Sequence, residues 1–458
     1  MKEYVLPEKP RSHQLMAWLA GILLVFNVYH TKILDSLGLY ASSVTFLIQG
    51  AAVLLLVLYI AMEKKIGLLS VEIHHTEWCL ILTLAVMLIT TEDYGRNLTY
   101  ILRYGVLVLI VLLMKYDEKL IHILYICIAA ASALHILATL WFYCDTDFYM
   151  EHILPHFTAT QRERLYGWVK INRFAVGLSG HYSQNGIYMA LGLCCSYPLF
   201  YMKGKLSFPV KAAIFSAALF ALVLTGKRGA LLFGVAAVML SYVLCRKGPA
   251  SGKFMAAMLI AAGGITVLYI LSFYVETVAE TLGRFAVLFS DNPSADVSNG
   301  RFGLYNIAWN FFCKSPVFGI GWREFSREVV NRYNQDGVLR DTHNVFLQLL
   351  CETGLVGFCV FLSLFVSSFV QTVRLILAGV RRQLELPEMT KGALVFSVCY
   401  QIFFLLYCMT GNPLYDLETL YAYVISVGIS SGVYYRYRED LIHPKTRSRS
   451  VSKYIRQG

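Results

Sequence analysis

About twelve apolar runs dominate the chain, most of them near the ~20 residues that a helix needs to cross a bilayer core. They lie near 14–30, 44–62, 77–91, 97–114, 119–143, 183–202, 209–225, 230–245, 254–275, 355–373, 392–410 and 415–435. The run at 77–91 is short and partly polar. Composition agrees: 57% of the 458 residues are hydrophobic and only 15% are charged. Soluble domains carry about 25% charged residues. This chain has too little polar surface to cover a water-facing globule, and too much apolar surface to stay disordered. Size and cysteine placement also exclude a secreted disulfide scaffold. The eleven cysteines form no CxxC pair and sit mostly in apolar runs, where free thiols behave as small hydrophobes. The first run reads as a retained span, because no small-residue cleavage site follows it.

The pattern predicts an all-α polytopic membrane protein with about 12 transmembrane helices. An even number of spans puts both termini on one side, and the lysines and arginines choose that side. With the termini cytoplasmic, inside connections hold 24 cations and outside connections 15, with Arg103 inside a span. Short outside connections hold only four of those 15. The net charge of +11 is thus read as topology, and no nucleic-acid partner is expected. Four regions follow. Residues 1–275 form an N-terminal bundle of about nine spans, with an outside loop at 144–182. Residues 276–354 form a large extracytoplasmic loop with amphipathic helices. Residues 355–435 form a three-span bundle. Residues 436–458 form a basic tail, with Arg436, Arg438, Lys445, Arg447, Arg449, Lys453 and Arg456 beside anionic lipid.

The late loop holds most of the informative chemistry. Ser298 and Asn299 read as helix caps. Phe302, Tyr305, Trp309 and Phe312 recur at helical spacing, giving an amphipathic helix on the membrane or over the bundle. Arg301 falls in its first turn, where the helix dipole does not favour a cation. An anionic ligand or a carboxylate partner would account for it. Lys314-Ser315-Pro316 ends the helix, and Gly319 and Gly321 permit tight turns. Thr342 reads as the N-cap of a helix re-entering the membrane, with His343 in its first turn. That position favours a neutral imidazole able to accept a proton from a sugar hydroxyl. A capping or interfacial histidine is the plainer reading.

The ordered set from Arg301 through Pro316-Val317-Phe318-Gly319-Ile320-Gly321 to His343-Asn344, Leu347, Glu352, Gly354 and Gly357 resembles the O-antigen ligase/polymerase family of bacterial envelope glycosyltransferases. The resemblance implies a GT-C-like helical fold and an active site on the outer face of the cytoplasmic membrane. It implies transfer of a glycan from an undecaprenyl-diphosphate-linked donor to a glycan or lipid-linked acceptor, with inversion and without an obligatory metal or cofactor. A flippase and a chain-length regulator are implied partners. Catalytic roles then go to His343, Arg301 and Arg228, the last lying in the Lys227-Arg228-Gly229 bend where the family has Ser-Arg. Substrate contacts go to Asn344, Lys227, Arg173, Arg164 and Asn185. Arg173, Gly177 and Asn185 fit the family's Arg, Gly, Asn order, although its proline before Asn is absent.

Other residues carry weaker signals. Asp145 and Asp147 form a DxD pair, a pattern that chelates Mg²⁺ or Mn²⁺ beside a diphosphate and also arises by chance. Arg103 is costly inside a span, with Asp416 or Glu418 as prospective partners. His122 and His135 read as histidines satisfied within the bundle. The preferred function is polymerisation of an O-antigen, capsule or exopolysaccharide. Ligase-type transfer to lipid A core, protein or wall polymer is the alternative. A transporter of lipid-linked glycan is the alternative from another class, disfavoured by absent repeats and few charges within spans.

Overall fold

In a bilayer the backbone has no water to bond, so an apolar run must satisfy its own peptide groups as a helix. The computed structural model describes residues 12–39, 42–62, 72–204, 206–286, 300–333 and 340–442, and every regular element among them is helical. The expected caps at Ser298 and Asn299 and the tail beyond residue 442 lie outside the described residues.

The first five helices are α1 (Ser12–Ser36), α2 (Ser42–Met62), α3 (His75–Thr90), α4 (Tyr94–Met114) and α5 (Glu118–Cys144). A small helical cap follows, with α6 (Thr146–Phe148) and α7 (Ala159–Tyr166) joined by short π and 3₁₀ turns. Then come α8 (Tyr182–Ser196), α9 (Phe208–Leu224), α10 (Arg228–Cys245) and α11 (Ala250–Leu271). The late loop holds α12 (Glu276–Ala286), α13 (Arg301–Lys314) and α14 (Phe325–Tyr333). The chain closes with α15 (Val345–Val380), α16 (Glu388–Tyr407) and α17 (Leu417–Ile442).

Each of the twelve apolar runs holds a helix. Seven described helices are long and apolar enough to cross a membrane, and three more are apolar but shorter. The exposed side chains fit that medium. On α11, Phe254, Met255, Leu259 and Ile260 are all more than 60% exposed, a face suited to lipid rather than water. Polarity is turned inward instead. The Gln401 side chain on α16 donates to Thr372 on α15 (3.0 Å) and to Ser397 (3.1 Å), while Ser397 donates to the Ser426 carbonyl on α17. Small hydroxyl residues of this kind let helices approach closely and bond across their contacts. His122 bonds Thr390 on α16, and His135 stacks on Tyr29.

Hydrogen bonds between connections sort them to two ends of the bundle. At one end the buried Lys115–Glu77 ion pair (3.1 Å) and the Ser431 hydroxyl on Glu77 join α3, the α4–α5 turn and α17. At the other end the 144–182 cap, the α9–α10 bend, the late loop and the α16–α17 turn meet. There Ala175 N–H donates to the Leu224 carbonyl, and Val345 N–H donates to the Cys408 carbonyl.

The late loop is anchored by a break in α15. Gly354 sits at φ 64°, ψ −169°, so the helix ladder is interrupted there. The carbonyls of Cys351 and Glu352 lose the amides of Leu355 and Val356, four residues on. The 316–321 segment replaces all of them. Ile320 N–H donates to Cys351 O (3.0 Å) and Gly321 N–H to Glu352 O (2.9 Å). Leu355 N–H donates to Pro316 O (2.8 Å) and Val356 N–H to Val317 O (3.3 Å). This braid needs backbone-to-backbone contact: a Cβ on Gly319 would lie 2.3 Å from Glu352 C, and one on Gly354 would lie 2.3 Å from Val317 C. The expected start of the last bundle at 355 is therefore a break within a helix that begins at Val345.

Gly319→Ala should destabilise the protein by roughly 3–5 kcal/mol, since both the left-handed φ and the collision oppose it. Gly303→Ala, on an open helix face, should stay within about 0.5 kcal/mol of wild type. Thermal melting of the two variants in detergent checks this, and equal melting would remove the collision argument.

Candidate functional site

The α16–α17 turn brings three of the expected site residues to one place. Arg301 donates from Nη1 to the Thr410 carbonyl (3.3 Å). Gly229, in the first turn of α10, packs where a Cβ would stand 3.7 Å from Thr410 Oγ1. The start of α15, just after His343, is fixed by the Val345 bond to Cys408. Arg228, Arg301 and His343 thus converge from three elements distant in sequence.

The α9–α10 bend is rigid. Gly226 has φ 64°, and a Cβ there would fall 2.4 Å from the Phe174 ring. Lys227 then takes the N-cap position of α10 and Arg228 its first residue. Arg301 is likewise the first residue of α13, after Gly300 at φ 78°. Two helix N-termini carry cations where their dipoles are already positive, an arrangement suited to an anion. Burial first, then the charges of Arg301, Arg284 and Arg228, pushes Lys227 down to about 8.

The structure shifts the expected cap beside His343. Thr342 was expected to cap the helix, with His343 inside it. Instead Asn344 is the N-cap, its Oδ1 accepting from Leu347 N–H (3.1 Å). Thr342 is buried and its hydroxyl bonds the Asn344 carbonyl. His343 lies outside the helix at φ 56°, with its side chain exposed. A backbone turn in the left-handed region frees the imidazole from the helix face. Partial burial among its neighbours, then the charges of Arg301 and Lys227, hold His343 below its ordinary value, while Asp341 opposes them. A chain of hydrogen bonds runs from the braid to Thr342 and Asp341, the residues just before this histidine. The buried Glu352 carboxylate accepts from Arg323 N–H, Phe325 N–H, Tyr415 hydroxyl and Gln348 Nε2. Gln348 in turn accepts from Thr342 N–H (3.3 Å) and donates to Asp341 (3.2 Å).

The aromatic stripe of α13 faces the other way from its packing side. Phe302 and Trp309 are exposed, whereas Ala308 and Phe311 are buried against Phe325 and Val329. The helix is apolar on both faces, one against the bundle and one outward.

Not every expected contact joins the cluster. Arg164 is exposed on α7. Asn185 is fully buried, and its side-chain NH₂ donates to Thr139 and to the Ala175 carbonyl, holding the cap to α5 and α8. Arg173 lies near Glu276, across Phe174 from the bend. Asp145 caps α6 and Asp147 pairs with Lys170 (2.7 Å), so each aspartate of the DxD pair has its own local task. Arg103 is buried on α4.

One cation escaped sequence reasoning. Arg284 on α12 donates to the Gly226 carbonyl (3.2 Å), its guanidinium lies 5.3 Å from the Phe174 ring centre, and its own carbonyl accepts from Arg228. The two arginines clasp the bend between them. Among the described residues no carboxylate lies within ion-pair distance of Lys227, Arg228, Arg284 or Arg301, although Glu280 sits one turn before Arg284. No motif marks Arg284; only its place on an amphipathic helix after a span sets it apart.

Residues 213–362 match the family model described as O-antigen ligase. Over that stretch the chain is similar to the O-antigen ligases. Its function class is therefore glycan transfer in polysaccharide assembly, and its apolar helices make it a multi-pass membrane protein. The matched stretch spans Lys227, Arg228, Arg284, Arg301, His343 and the braid, and leaves Arg164, Arg173 and Asn185 outside. No curated protein matches the chain.

Arg284→Ala should raise the KM for the glycan donor about 10-fold, the size expected for a lost charge-assisted hydrogen bond. Arg284→Lys should recover part of that loss by restoring the charge. Transfer kinetics in proteoliposomes measure both, and an unchanged KM in Arg284→Ala would place this residue outside donor binding.

Proposed function

We propose that the protein is a polysaccharide polymerase of a bacterial cytoplasmic membrane, with its active site on the outer face. It moves a growing glycan from undecaprenyl diphosphate to a hydroxyl of another lipid-linked repeat unit. The observation that carries this reading is the convergence of Arg228, Arg301 and His343 at the α16–α17 turn, within a cluster of four cations. Polymerisation is preferred to ligation because polymerases are numerous and diverse in the family that the chain resembles.

The chemistry follows from the charges. Arg228 and Arg301, aided by Lys227 and Arg284, bind the diphosphate; guanidinium groups suit its oxygens through paired hydrogen bonds. Neutral His343 accepts the proton of the acceptor hydroxyl as its oxygen attacks the anomeric carbon. The bond from that carbon to the diphosphate oxygen breaks, and undecaprenyl diphosphate leaves with the electron pair. The fixed cations stabilise the negative charge as it develops. The donor bond supplies the driving force, so no nucleotide is needed at this site.

Reconstitution tests the reading. Purified protein in liposomes receives only undecaprenyl-diphosphate-linked repeat units, and products are resolved by size. Wild type should form a ladder, and Arg301→Ala and His343→Ala should insert normally yet form none. Transfer only after a separate acceptor is added would mean a ligase. Normal ladders from both variants would sink the site assignment.

The pH profile gives a second check. Partial burial first, and then the neighbouring cations, disfavour the imidazolium form, so the acid limb of the rate should lie below the ordinary histidine value of 6.5. Lys227→Gln removes one of those charges, which raises the His343 pKa and should move the acid limb to higher pH. A limb that stays in place would show that another group sets it.

A further inference from the structure

We propose that the cavity beside the cationic bend is a sugar subsite, which takes a pyranose ring of the glycan next to its diphosphate. This rests on the reading of the cationic cluster as a diphosphate site. The cavity has a volume of about 460 Å³ and lies between the end of α5, the 169–177 segment and the start of α12. That size falls within the ~300–1,000 Å³ of small-molecule pockets. Phe174 is its boundary with the cationic cluster: the same ring lines the cavity, fills the space over Gly226 and lies under the Arg284 guanidinium. A lipid-linked glycan has its first sugar bonded directly to the diphosphate. A subsite for it must therefore adjoin the cations, and this cavity shares Phe174 with the Gly226 bend and with Arg284.

The lining suits carbohydrate. A pyranose presents an apolar C–H face and a polar rim of hydroxyls. Tyr274 lines the cavity yet is 82% exposed, leaving its ring face open for the C–H side. Arg173 and Glu276 are planar, charged groups suited to paired hydroxyl contacts, and they stand 3.9 Å apart, too long to exhaust each other's hydrogen bonds. Arg173 is also held at φ 54°, unusual for a residue with a side chain. Thr277 fixes that conformation by donating to the Arg173 carbonyl (2.8 Å) and bonding Tyr143 (2.9 Å). Strained backbone held in place by its surroundings is characteristic of binding sites. The cavity thus has a stacking ring, a donor and acceptor pair, and a shared wall with the anion site.

The test uses the full chain in detergent and two probes. One is the repeat-unit oligosaccharide freed from its lipid carrier, taken from the strain that makes the protein. The other is undecaprenyl diphosphate without sugar. Tyr274→Leu keeps the residue apolar but removes the ring, and Tyr274→Phe keeps the ring. Arg173→Gln removes the charge. Tyr274→Leu and Arg173→Gln should each weaken oligosaccharide binding about 3–10-fold with an unchanged melting temperature, while Tyr274→Phe stays near wild type. Binding of undecaprenyl diphosphate should be unaffected by all three and weakened by Arg228→Ala. Unchanged oligosaccharide affinity in Tyr274→Leu and Arg173→Gln, or equal losses in Tyr274→Leu and Tyr274→Phe, would overturn the subsite. If Arg228→Ala leaves undecaprenyl diphosphate binding intact, the diphosphate reading fails instead. Comparing transfer at varied donor and acceptor concentrations then tells whether the bound ring belongs to donor or acceptor: the side whose KM rises in Tyr274→Leu owns it.

Discussion

The site depends on an exchange of hydrogen bonds. At Gly354 the helix α15 gives up two of its own carbonyl–amide pairs, and the 316–321 segment takes up both carbonyls and both amides. An unbonded buried peptide group costs about 1–3 kcal/mol, so an unfilled break would be expensive within an apolar bundle. Filling it ties a loop outside the core to the helix that His343 precedes. The same junction buries Glu352, whose carboxylate gathers two backbone amides, the Tyr415 hydroxyl and Gln348. From Gln348 the order passes to Thr342 and Asp341, the residues immediately before His343. A histidine on a turn would otherwise have wide freedom; here its backbone is set by a helix break eleven residues away.

Electrostatics explains why such rigidity is needed. Lys227, Arg228, Arg284 and Arg301 repel one another, and two of the helix N-termini they occupy add to the repulsion. No local propensity would assemble them. The bend at Gly226, sealed by Phe174, and the bond from Arg301 to Thr410 hold these charges together by geometry. On the proposed reading, a bound diphosphate would relieve that repulsion, and the relief would add to its affinity. The depressed Lys227 and His343 pKa values have the same origin, since partial burial and concentrated positive charge both disfavour a further proton.

Polar residues within the bundle have a different role. Gln401, Thr372, Ser397 and Ser426 bond to one another across α15, α16 and α17, and Lys115 with Glu77 fastens the opposite end. In a bilayer the apolar surface drives insertion but selects no helix partners, so packing and these bonds do that work. On α17 the Ser431 hydroxyl reaches Glu77 of α3 and the Tyr423 hydroxyl bonds Ser368 of α15, so these polar groups face neighbouring helices.

The sequence by itself determined the helices. Twelve apolar runs become twelve helical regions, because an apolar segment in a membrane has no other way to satisfy its backbone. It also marked Arg301 and His343, since a cation in a first helical turn and a histidine at a helix start are locally anomalous, and it marked Arg228 through the family's bend motif. What it left undecided is long-range. Arg284 lies in an ordinary amphipathic helix, and only packing against Gly226 and Phe174 makes it part of the cluster. Asn185 fits a motif order but is spent inside the protein. The cap beside His343 moved from Thr342 to Asn344 because Thr342 is held by Gln348 and by the Asn344 carbonyl, contacts that depend on the fold around it. Tertiary structure alone settled which face of α13 packs, for both faces are apolar and periodicity cannot rank them. Local chemistry fixes where helices begin and which residues are out of place; only the packed bundle decides which of those residues meet.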